Sequence, residues 1–194
     1  MKKLFLAMGL AAMGFTASAQ AISDMAIIPI GVTLNSIARI TVTSGGNIEF
    51  VVNTMDKYQN GVKNSSAYTT TFSVASSNKF GVKLSADNDV LTPTTNTSSS
   101  AVGMPVDLIE YEMDDNKSGA NVIKEVQQLS QKGAYIVGGI VGAGDGDKSQ
   151  AANTYSGIQI KWSLATKQKG ELTKYPSDRY VVNAYLQLVQ NPTE

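Results

Sequence analysis

The chain has 194 residues, 16 basic against 16 acidic side chains, a formal net charge of zero and 42 % hydrophobic residues. It contains neither cysteine nor histidine, which excludes disulfides, serine–histidine and cysteine–histidine catalysis, and ordinary zinc, haem or copper sites. Balanced charge without a basic patch gives nucleic acid no footing, and the length suits a domain with a core of its own.

The first residues divide into the parts of a secretory signal peptide over residues 1–19. Lys2 and Lys3 form the charged start, Leu4 to Phe15 the short apolar run, and Ala17-Ser18-Ala19 the small-residue cleavage pattern. No later stretch approaches the roughly 20 apolar residues of a spanning helix, so the mature chain is expected to carry no transmembrane segment. The expected location is the cell surface or the extracellular space, otherwise the periplasm. Residues 20–194 are expected to form a single domain, slightly acidic once the two lysines are gone.

Strand patterns dominate the rest of the chain. In residues 26–34, "AIIPIGVTL", the side chains Ala26, Ile28, Ile30, Val32 and Leu34 alternate with Ile27, Pro29, Gly31 and Thr33. Pro29 has no N–H and suits a sheet edge. This strand either pairs within its own domain or adds to the sheet edge of a neighbour, where main-chain bonds give affinity and alternate side chains fill pockets. Ile40 and Val42, then Ser44-Gly45-Gly46-Asn47, then Ile48, Phe50 and Val52 read as a β-hairpin around a glycine turn. Alternation recurs at 68–74 and 80–84. Residues 86–101 are rich in serine and threonine and read as a long exposed loop.

Residues 106–113 form the next strand. Glu110 and Glu112 lie two apart on it and are expected to make a solvated face that blocks edge pairing; a glycosidase pair would need opposed carboxylates across a cleft. From residue 114, "DDNKSGANVIKE" places Asp114, Asn116 and Ser118 at positions 1, 3 and 5 of a calcium loop, Gly119 at 6 and Glu125 at 12. The same residues also suit a polar turn that caps a helix. That helix is expected at 121–132, with Val122, Val126 and Leu129 on one face, Asn121 at its start and Gly133 at its end. Calcium is therefore the one cofactor considered, on Asp114, Asn116, Ser118 and Glu125.

Residues 134–141 read as a strand. The stretch 139–149, "GIVGAGDGDKS", lacks the glycine before lysine that a phosphate loop needs, and Asp145 and Asp147 would repel phosphate; it reads as a hairpin loop. Ile158, Ile160, Trp162 and Leu164 alternate next, which places Trp162 in the core. Tyr180, Val182, Ala184, Leu186 and Leu188 close the chain. About nine strands of period two with one polar face suit an antiparallel two-layer sandwich.

Two stretches resemble a known family. "YPSDRYVVNAYLQLVQ" (175–190) resembles the last strand of bacterial fimbrial and pilus subunits, and "AIIPIGVTL" (26–34) resembles their donor strand. The resemblance implies an all-β, immunoglobulin-like antiparallel sandwich lacking one strand, here with one short inserted helix near 121–132. It also implies that a neighbouring subunit supplies the missing strand. The expected function is an exported structural or adhesive subunit of a cell-surface filament or surface layer, a homo-oligomer built by strand addition and not an enzyme. The alternative is a periplasmic or surface binding module for calcium or glycan.

Overall fold

The computed structural model describes residues 28–95, 102–114, 118–120, 122–138 and 151–190. The chain divides into two units, Met1–Leu34 and Asn35–Glu194. In the first, residues 28–34 belong to no helix or strand, and Ile28, Ile30, Val32 and Leu34 are 79–90 % exposed.

The second unit is an antiparallel β-sandwich. Its larger sheet has the order β1-β2-β9-β6-β7, with β1 at Ala38–Ser44, β2 at Thr69–Ser76, β9 at Asn153–Leu164, β6 at Ile109–Asp114 and β7 at Gln127–Gln128. A second sheet runs β11-β3-β8, with β11 at Ala184–Gln190, β3 at Phe80–Ala86 and β8 at Ala134–Val137. A small third sheet runs β10-β4-β5, with β10 at Tyr180–Val181, β4 at Val90–Pro93 and β5 at Met104–Pro105. One α-helix among the described residues, α1, spans Met55–Asn60, and short 3-10 turns lie at Ser66–Tyr68, at Val106–Leu108, where a strand was expected, and at Glu171–Lys174. No described helix is long and apolar enough to cross a membrane.

Alternation places the core. Phe72 and Val74 of β2, Ile158 and Ile160 of β9, Tyr111 and Met113 of β6, and Val82 and Leu84 of β3 are buried in one continuous cluster. Both sheets feed it, which makes the layers a sandwich. Tyr155 and Ile158 are both buried although an odd number of positions separates them. The register of β2 against β9 shifts between Phe72 and Val74, and Gly157 has φ 77°. This bulge absorbs an extra residue and returns both side chains to the inner face. Trp162 is buried, as its phase indicates, and its Nε1 donates to Thr70 Oγ1 at 2.9 Å.

Four expectations are corrected. Residues 122–132 are not helical: Val122 bridges Val137, β7 occupies 127–128, and the backbone of Ile123 donates to Ile136. Two valines and an isoleucine resist helix formation, and tertiary pairing outweighs a short periodic match. The 40–52 hairpin does not form. β1 pairs with β2 instead, while 48–52 has no strand partner among the described residues. The loop at 86–101 contains β4; its residues 96–101 lie outside the described residues. The last strand is broken at Val182–Asn183. β10 pairs with β4 and β11 with β3, so the chain changes sheets there. Asp87 holds the change point, accepting from Asn183 N at 3.1 Å and from Nδ2 at 2.7 Å. The glycine stretch 139–149 falls outside the described residues.

Burial raises the phenol of Tyr111 from 10.0 to about 12. Between those values an unfolded chain has lost this proton and the folded chain keeps it, so stability falls as pH climbs from about 10 to about 12, by about 2–3 kcal/mol. An ultraviolet phenolate titration should show the Tyr111 phenol ionising last; Tyr111→Phe should remove that last step and the matching loss of stability.

Candidate functional site: an open apolar groove

The two flanks of the sandwich differ. On the β7/β8 flank, residues 122–130 lace the sheets together. Leu129 N donates to Ile109 O of the larger sheet at 2.8 Å, and Ser130 O accepts from Ala86 N of the second sheet at 2.9 Å. On the opposite flank β1 and β11 are both edge strands. Ile40 and Val42 lie opposite Val74 and Phe72, and so face inward; Leu186 and Leu188 face inward opposite Leu84 and Val82. Their partners are only 0–1 % exposed, yet Ile40, Leu186 and Leu188 are half-buried and Val42 is 46 % exposed. This flank is therefore covered less completely than the other.

Between these edges lies a groove of ≈ 700 Å³. Its floor includes Leu84, Ile160 and Trp162; one wall carries Ile40, Val42 and Phe50, and the other Tyr180 and Leu186. Volume and apolar lining match those of ligand sites. One end is tied shut by Gln190. Its Oε1 accepts from Ser36 Oγ at 3.0 Å, and its Nε2 donates to Ile37 O at 2.8 Å and to Ser76 Oγ at 3.2 Å.

The first wall continues beyond β1 as an extended strap, residues 46–52. Its near end is fixed where Thr70 Oγ1 donates to Gly45 O at 2.6 Å. Gly45 has φ 65°, and a Cβ there would lie 2.0 Å from Thr69 O, so only glycine fits. Its far end is fixed by Lys57 of α1, whose Nζ donates to Val51 O at 2.9 Å and Asn53 Oδ1 at 3.0 Å. Between the anchors Ile48, Phe50 and Val52 turn toward the core while Glu49 and Val51 are exposed. Residues 48–50 make no main-chain to main-chain hydrogen bond among the described residues.

The other sequence-derived sites are dispersed. Asp114 forms an ion pair with Lys161 at 2.8 Å, and this hydrogen bond raises the lysine above its ordinary pKa. Ser118 Oγ accepts from Ala120 N at 3.2 Å, Glu125 is exposed on a non-helical segment, and Asn116 lies outside the described residues. Gly119 has φ 76°, the sharp turn expected of it. No group of three or more acidic side chains placed to hold a metal occurs among the described residues. Glu110 departs from the solvated face expected for it: it is fully buried, while Glu112 is half-buried. β6 is flanked by β9 and β7, and the turn after β9 closes over the carboxylate. Glu110 accepts from Lys167 N at 2.7 Å, from Ser163 Oγ at 3.3 Å and from Thr166 Oγ1. These bonds hold a turn in which Ala165 has φ 53°, a costly conformation for a residue with a Cβ.

The chain matches no protein-family model and no curated protein sequence.

Glu110→Ala should cost about 3 kcal/mol or more in urea unfolding, since it leaves several donors without their charged acceptor. Glu110→Gln, which keeps one carbonyl acceptor, should cost less. Equal stability of wild type and Glu110→Ala would remove the staple assigned to this side chain.

Proposed function

We propose that the protein is an exported structural subunit of a cell-surface filament or surface layer, and that copies join by strand addition. Residues 26–34 of one copy enter the groove between β1 and β11 of the next. The observation that carries this reading is a match of two incomplete surfaces. One is an apolar groove between two unpaired sheet edges. The other is a segment whose alternate side chains, Ile28, Ile30, Val32 and Leu34, stand in water. Residues 28–34 reach about 23 Å as extended chain, and the groove runs past Ile40 and Val42 of β1 and Ala184 to Leu186 of β11. Burying each large side chain contributes about 1.5–3 kcal/mol, and the edges supply unpaired main-chain groups.

Pairing of residues 26–34 within their own copy is the rival reading, and it predicts a monomer at every concentration. The resemblance of 26–34 and 175–190 to fimbrial and pilus subunits points to strand addition. It suggests an immunoglobulin-like arrangement with one strand supplied from outside.

Size-exclusion chromatography and negative-stain microscopy of the chain from Gln20 test the proposal. The expected outcome is concentration-dependent linear oligomers. Ile30→Asp should leave a folded monomer and weaken association by about 100-fold or more, because a charge replaces a buried side chain. A wild-type chain that stays monomeric at every concentration, or an Ile30→Asp variant that assembles normally, rules strand addition out.

A further inference from the structure

The groove has a second tie besides Gln190. Glu49 Oε1 lies 3.4 Å from Arg179 Nε. Glu49 belongs to the strap and Arg179 to the chain leading into β10, and both residues line the groove. The pair therefore joins the two walls. Both partners are well exposed, and the strap between Gly45 and Val51 makes no main-chain to main-chain hydrogen bond among the described residues.

We propose that the Glu49–Arg179 ion pair is a latch across the groove, released before an added strand enters; this rests on the strand-addition reading. Ile48 and Phe50 hold the strap to the core by packing alone, and the latch holds it to the facing wall. An incoming strand has to pass between the strap and the wall that carries Arg179, and the pair spans that gap. Breaking the latch frees the strap to move between its two anchors. An exposed ion pair is weak and screened by salt, so the latch slows entry without preventing it. Assembly then speeds up as ionic strength rises, although the incoming segment carries no charge.

The test uses a capped, neutral peptide of residues 26–34 and the chain from Gln20 carrying Ile30→Asp, so that copies do not fill one another. Trp162 is the only tryptophan and lines the groove, so its fluorescence reports entry. With both latch residues intact, entry should accelerate about two- to fivefold between about 20 mM and about 500 mM NaCl, the range an exposed pair supports. Arg179→Gln and Glu49→Gln should each give the fast rate at low salt and lose the salt response. The double exchange Glu49→Arg with Arg179→Glu should restore both. Peptide entry with the same rate and salt response in all these variants overturns the latch and leaves strand addition standing. Failure of the peptide to enter any of them overturns both.

Discussion

A two-layer sandwich has an inner face to cover and two flanks to seal, and here only one flank is sealed. Along β7 and β8 the chain crosses from sheet to sheet and bonds to each. Along β1 and β11 the layers approach each other at the Gln190 end, and beyond it the inward side chains stay partly exposed. The deep core does not register this gap, since Phe72, Ile158 and Val82 are fully buried. The cost falls on Ile40, Val42, Leu186 and Leu188, whose apolar surface stays partly wet. Every other property of the groove derives from that asymmetry.

The sandwich tolerates an open side because its other parts are tied by polar groups used as staples. Gln190 joins the start of the first strand to the end of the last. Asp87 holds the point where the final segment changes sheets. Glu110 is the extreme case, a fully buried carboxylate whose cost is offset by donors from the turn after β9. A chain without cysteine has no covalent means of fixing such turns, and buried hydrogen bonds do so here.

Much of the fold was legible in the sequence, and the parts that were not have specific causes. β2, β3, β6, β9 and β11 announce themselves by alternation, which is a direct result of the pleat. Alternation states which side chains face inward but says nothing about partners. Residues 48–52 therefore show the strand pattern without belonging to a sheet, and 40–44 pairs with β2 and not with them. β4 is only four residues long and sits among serines and threonines, too short to stand out. α1 carried its own signals in Thr54, whose Oγ1 accepts from Lys57 N, and in Gly61 at its end, but six residues present no periodic face. The burial of Glu110 comes from Thr166 and Lys167, more than fifty positions away, and no local pattern encodes it. The apolar alternation of 26–34 was visible in the sequence, whereas the groove depends on which strands end up at the edges.

Placing an exposed apolar segment and an unfilled groove on one polypeptide also sets the symmetry of any assembly that uses them. A contact of the proposed kind would join two different surfaces and so be heterologous, and unless the rotation per copy closed a ring it would propagate without limit. Such a polymer would have a polarity. One terminus would present a groove and the other a tail, so its two ends would be nucleated and capped by different means.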